Sequence, residues 1–149
     1  MNDGPPDPMA EPVRDLVRVG DVMSPTVRTI ALTASVAEAL EAMRDAGVSS
    51  LVVERRDDDD EFGLIVVTDI AREVVAKDRA AERVNVYEVM SKPVLTVPVD
   101  MQSKYAVRLL VRFNLSRALV VDATRSPVGI VTLRDLVLRH VSVRPEVRT

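Results

Sequence analysis

The sequence predicts a mixed α+β fold, α/β-like in its local order, in which one β-α-β-β-α unit is written twice and the copies pack face to face. Three observations predict it. "GLIVVTDI" at Gly63–Ile70 returns as "GIVTLRDL" at Gly129–Leu136. "DVMSPTVRTI" at Asp21–Ile30 returns as "EVMSKPVLTV" at Glu88–Val97. Between these phrases, runs of β-branched residues and stretches of helical apolar spacing follow in the same order in both halves. One constant offset relates the copies until the last loop, where the second copy is a residue shorter. The period is longer than that of the common solenoid repeats, so a duplicated supersecondary unit explains it better.

Each element follows from its residues. Residues 1–17 carry four prolines and little apolar content and read as a flexible tail. Repeat 1 spans 18–76. It begins with a short extended piece at Val27–Ile30, then a helix with Val36, Leu40 and Met43 on one face and Glu38, Glu41 and Arg44 on the other. Thr33 or Ser35 is its candidate cap, and Gly47 stops it. Two strands follow, "SLVVE" and "GLIVV", and a second helix is expected from about Asp69 to Ala76. Residues 77–84 form a linker. Repeat 2 spans 85–141: an extended piece at Val94–Val97, a helix carrying Val107 and Leu110, strands "ALVVD" and "GIVTL", and a helix from about Asp135 to Val141. A polar tail, 142–149, ends the sequence. The loop "RRDDDDE" at Arg55–Glu61 reads as a solvated hairpin connection; an EF-hand loop alternates its acids around a central glycine, and this run does neither.

Composition narrows the function. The chain has 149 residues, a net charge of −3, no cysteine, no tryptophan, two tyrosines and two phenylalanines. An aromatic stacking platform for single-stranded nucleic acid is not available, and no long basic run invites a phosphate backbone. Thiolate zinc sites, disulfides and cysteine nucleophiles are excluded. No apolar run reaches the roughly 18 residues that span a bilayer. The first residues have neither the basic nor the apolar region of a secretory signal, so a cytoplasmic location is expected. Catalytic motifs are missing: there is no phosphate-binding glycine loop of the P-loop type, no GxSxG and no HExxH. The single histidine, His140, falls near a helix C-terminus, where a partial negative charge suits it. The expectation is therefore a protein that is not an enzyme.

Two uses suit the pair Thr132 and Asp135. As a capping box, the threonine hydroxyl caps the last helix and the acid answers three residues on. As a nucleotide grip, the helix tip and hydroxyl hold a phosphate while the carboxylate accepts from ribose hydroxyls.

Over both copies, from about Val19 to Val141, the pattern "DVMSPTVRTI", "GVSSLVVE", "GLIVVTDI" and then "EVMSKPVLTV", "LSRALVVD", "GIVTLRDL" resembles a tandem pair of CBS domains, the regulatory module of the cystathionine-beta-synthase type. The resemblance implies two units about a pseudo-twofold axis, with two clefts that take adenosyl ligands such as AMP, ADP, ATP or S-adenosylmethionine. It implies a regulatory ligand rather than a catalytic cofactor, a homodimer, and an effector protein as partner. The family's Gly-h-x-Thr/Ser-x-x-Asp pattern is complete in the second copy at Gly129, Thr132 and Asp135. By resemblance, Asp135 meets the ribose and Thr132 a phosphate, and the other copy lines the site with Gly20, Pro25, Val48 and Ser49. The first copy keeps Asp69 but has Val66 where the hydroxyl belongs, with Thr68 displaced by two residues. Its companions would be Lys92, Pro93, Leu115, Ser116 and Arg117. A guanidinium at Arg117 either grips phosphate in place of the missing hydroxyl or stands as a surface charge at a strand start. That second cleft is either empty or suited to a less phosphorylated ligand.

Overall fold

The computed structural model describes residues 16–143, so most of the two predicted tails lies outside the described residues. The elements in chain order are α1 (Val19–Val22), β1 (Thr29–Ile30), α2 (Val36–Ala46), β2 (Ser50–Val53), β3 (Gly63–Val66) and α3 (Val67–Ile70). Then come β4 (Thr96–Pro98), α4 (Ser103–Arg112), β5 (Arg117–Val121), β6 (Pro127–Thr132) and α5 (Leu133–Val143). Each repeat holds a three-stranded sheet, β1-β2-β3 or β4-β5-β6, with its first pair parallel and its second antiparallel. The two sheets meet through Val52, Leu64, Val94 and Leu119, all buried.

Local chemistry sets the ends of α2. Ser35 is its cap: the Oγ accepts from the Glu38 N–H at 3.1 Å. At the other end Gly47 takes a left-handed φ of 66° and turns its N–H back toward Arg44. Asn114 holds the corresponding place after α4, with φ 53°, a conformation that asparagine tolerates better than most residues. The helices expected from Asp69 and Asp135 instead begin two residues earlier, at Val67 and Leu133, directly on the last residue of a strand. Thr132 can itself cap α5, so no connecting residue is needed: its Oγ1 accepts from the Asp135 N–H at 3.1 Å. Val66 has no such hydroxyl, and α3 runs only to Ile70 before widening into a π-helical turn over Ala71–Val75.

The repeats exchange their leading segments. Val19, at the head of repeat 1, is fully buried in the core of repeat 2 with Val97, Leu110, Val131 and Leu136. Its N–H bonds to the Met101 carbonyl at 2.8 Å, and the Gly20 N–H bonds to Val99 at 2.9 Å. Reciprocally, Val84, Val86 and Val89 are buried in the core of repeat 1, and the Val36 N–H bonds to the Val84 carbonyl at 2.7 Å. Val84, read from the sequence as the last linker residue, is thus a core residue. Full burial of one valine contributes about 1.5–3 kcal/mol, so each exchanged arm is anchored by burial as well as by backbone bonds.

The exchange continues into the sheets. Ser24 forms an antiparallel bridge with Ile130 of β6, and Ser91 forms the matching bridge with Leu64 of β3. The crossing arms lie close against the strands. A Cβ at Gly129 would stand 2.5 Å from the Ser24 carbonyl oxygen and 2.6 Å from the Met23 sulfur. A Cβ at Gly63 would stand 2.9 Å from the Met90 sulfur. The glycine of each repeated phrase is therefore required by the other copy's Met-Ser arm. Gly129→Ala is expected to cost about 1–3 kcal/mol as overpacking against backbone that cannot yield cheaply. Urea unfolding checks this, and an unchanged midpoint would contradict the close approach.

Candidate functional site

A cleft of about 320 Å³ opens where the two repeats meet. One wall is the segment leading into β1, which bends at Pro25 and presents Ser24, Thr26 and Arg28 to the cleft. A second wall is Val48 and Ser49, between α2 and β2, with Ser50 at the start of β2. Repeat 2 closes the cleft with Arg117, Ile130, Thr132 and Asp135.

Strand register brings the last group together. Arg117 and Thr132 are direct partners across the antiparallel β5–β6 pair, so they stand side by side. Asp135 follows in the first turn of α5. The Thr132 hydroxyl accepts the Asp135 N–H and keeps its own O–H for donation. The Leu133 N–H is taken by the Ser116 carbonyl at 2.8 Å, so part of the helix tip is already engaged. Arg117 reaches across to repeat 1 and donates to Ser50 Oγ at 3.0 Å and Ser49 Oγ at 3.2 Å. Burial draws the guanidinium below its ordinary value, and the Asp135 carboxylate offsets part of that. It stays protonated at neutral pH. The cleft thus offers hydroxyls, two guanidinium groups and one carboxylate.

Comparison with known proteins agrees with this architecture. The CBS domain pattern matches residues 19–76 and again residues 86–141. The chain belongs to the CBS-domain family. A curated relative, an uncharacterized protein of Methanopyrus kandleri, is 33% identical over 120 residues, or 80% of this chain. This chain spans 61% of that relative's length. A hexameric CBS-CP12 protein from bloom-forming cyanobacteria superposes with a TM-score of 0.82 at 28% identity, over 89% of this chain and 74% of the other. Two more distant structures share the fold. One is a CBS domain pair in complex with 5′-methylthioadenosine and S-adenosylmethionine (TM-score 0.73, 24% identity, 87% of this chain and 100% of that one). The other is the CBS domain of a bacterial CNNM/CorC family Mg²⁺ transporter in complex with ATP (TM-score 0.68, 23% identity, 86% and 89%).

Within this CBS pair the sequence-predicted residues divide. Thr132, Asp135, Val48 and Ser49 line one cleft. Pro25 lies between two lining residues without being one, and Gly20 sits in α1 against Val99. Arg117, expected with the second set, faces the first cleft. The rest of the second set is dispersed. Pro93 and Leu115 line an open hollow with Leu95 and Phe113. Ser116 contributes the carbonyl that holds Leu133, and Thr68 is exposed in α3. Asp69 is ion-paired with Arg72. Sequence reasoning missed Ser24, Thr26, Arg28 and Ser50. Two signals could have found them: the alternation of polar residues along the arm, and the register that places Arg117 opposite Thr132.

Lys92 is committed elsewhere as well. Its Nζ pairs with Asp60 Oδ2 at 2.7 Å, joining repeat 2 to the acidic loop of repeat 1. That hydrogen bond, with help from Arg56, holds the Asp60 carboxyl well below the usual carboxylate range. A depressed carboxylate stabilises the fold at pH values above its unfolded pKa, and the contribution is lost as the pH falls through the folded one. Lys92→Met is expected to move Asp60 up toward the ordinary range. A carboxyl-carbon NMR titration of both proteins checks this, and identical Asp60 curves would dissociate the acid from Lys92.

Proposed function

We propose that this CBS pair is a regulatory module. It binds an adenosyl ligand, AMP, ADP, ATP or S-adenosylmethionine, in the cleft between the repeats and signals to a partner protein. One observation carries the reading: a single cleft, walled by both repeats, that joins the Thr132 hydroxyl, the Asp135 carboxylate and Arg117. In this reading Asp135 accepts from ribose hydroxyls, and Thr132 donates to a phosphate beside it. The ligands of the two distant fold relatives, S-adenosylmethionine with methylthioadenosine in one and ATP in the other, support the adenosyl class. The reading is regulatory rather than catalytic; His140 lies in the last turn of α5, away from the cleft walls.

The mechanism is differential binding. A ligand touching both walls favours the arrangement of repeats in which the walls are correctly spaced, and so shifts the population. The proposal sets the module in the cytoplasm. It includes self-association as a homodimer, supported by Tyr105, Val111, Phe113, Val137 and Leu138, large apolar side chains left exposed on α4, its C-terminus and α5. Among the described residues no helix is long and apolar enough to cross a membrane.

Asp135→Ala is expected to weaken adenosyl-ligand binding at least tenfold by calorimetric titration, with circular dichroism unchanged. A ligand at about 100 times its dissociation constant should stabilise the wild-type fold by about 2.7 kcal/mol. No thermal response to any adenosyl compound would reduce the cleft to a structural seam, with Thr132 serving only as a cap. Light scattering at micromolar concentration is expected to give twice the chain mass, and a monomeric mass would refute the dimer.

A further inference from the structure

We infer that the cleft sorts its ligands by charge, Arg28 and Arg117 making it a receptor for phosphorylated adenosyl compounds and a poor one for a sulfonium. This rests on the reading that the cleft takes an adenosyl ligand. S-adenosylmethionine carries its positive sulfur on the 5′ carbon, where the nucleotides carry phosphate. Whatever the cleft presents to that position therefore decides between the two classes.

What it presents is cationic. Arg117 is half-buried, yet both of its contacts across the repeats are to uncharged hydroxyls. Among the described residues neither Arg117 nor Arg28 forms an ion pair, while Asp135 pairs with Arg134 instead, at 3.5 Å. A guanidinium partly removed from water, with the Asp135 carboxylate nearby but engaged with Arg134, is costly to the fold, and an anion in the cleft relieves that cost. Besides the Asp135 carboxylate, which the reading assigns to the ribose, the remaining polar side chains are the hydroxyls of Ser24, Thr26, Ser49, Ser50 and Thr132, which can turn to donate to phosphate oxygens. Two of the first N–H groups of α5 are already bonded, so the arginines rather than the helix tip supply most of the positive charge.

The duplication supplies an internal control. At the positions equivalent by repeat, the other copy has Leu95 for Arg28, Ser50 for Arg117 and Val66 for Thr132, but retains Asp69 for Asp135. A scaffold role for the arginines common to both units would have required them twice. Only the cleft that holds the complete hydroxyl-and-acid phrase has both cations.

The test is calorimetric titration of the full chain with AMP, adenosine and S-adenosylmethionine at one fixed low ionic strength, because salt screens such contacts. AMP is expected to bind at least tenfold tighter than either of the others. Arg117→Met and Arg28→Met should each weaken AMP at least fivefold and leave adenosine within twofold. S-adenosylmethionine binding as tightly as AMP, or AMP binding unchanged in both variants, overturns the inference. If Arg117→Met fails to fold, Arg28→Met carries the test, since the Arg28 guanidinium holds no partner among the described residues. Thermal shift with inorganic tripolyphosphate separates this inference from the reading beneath it. If no adenosyl compound binds, stabilisation by tripolyphosphate that both variants lose upholds an anion site and defeats the adenosyl reading. No stabilisation defeats both.

Discussion

The structure depends on a reciprocal exchange of backbone hydrogen bonds: the leading arm of each repeat is bound to the last strand of the other. Ser24 bridges to Ile130, and Ser91 bridges to Leu64. These bonds decide more than stability. After Ser24 the first arm runs on through Thr26 and Arg28 into β1, passing the end of β6 where Thr132 stands. The wall of the cleft is therefore the continuation of the crossing arm. Two repeats that merely touched through their sheets would share an apolar seam such as Val52, Leu64, Val94 and Leu119. They would not set a polar arm from one repeat beside the capped helix of the other.

The duplication, the strand order and the caps were legible because each leaves a local mark. Ser35, Gly47 and the β-branched runs act within a few residues of themselves. The exchange of arms was not legible, because a backbone hydrogen bond between distant segments selects no side chain. Its traces are indirect: the arm valines Val19, Val84, Val86 and Val89, which do not say whose core they enter, and Gly63 and Gly129, whose missing side chains admit the arms. The same limit governs the site. Thr132 and Asp135 announce themselves as a phrase at a strand-to-helix junction. Arg117 was read into the other cleft, as one of a set carried over by symmetry. Strand pairing, which is a matter of register, sets it opposite Thr132 instead. Arg28 carries no motif and is found only by following the arm.

The repeats diverge at the cleft as well as on their exposed faces, where Glu38, Glu41 and Arg44 correspond to Tyr105, Arg108 and Val111. The apolar positions keep their character, as with Met43 and Leu110 or Val52 and Leu119, all of them buried. The hydroxyl and the guanidinium groups do not. Packing constrains both copies equally, because either core fails if a large side chain is lost. Contact with a ligand constrains only the cleft that is used. A polar difference between copies whose cores agree is thus informative about binding in a way that a difference between core residues would not be.

Arg117 ties occupancy to the arrangement of the repeats. In the structure its guanidinium belongs to β5 of one repeat and bonds the hydroxyls of Ser49 and Ser50 in the other. An anion in the cleft competes for the same N–H groups. Any such ligand either takes them from the serines, loosening that contact, or shares them and tightens it. In both cases the free energy of binding and the free energy of the inter-repeat contact are linked, and the linkage acts equally in both directions. A partner protein that prefers one spacing of the repeats would alter ligand affinity by the same factor by which the ligand alters its own. No hinge or disordered segment is needed for this coupling; one half-buried cation, with donors enough for two neighbours and the Asp135 carboxylate near it but not ion-paired to it, is sufficient.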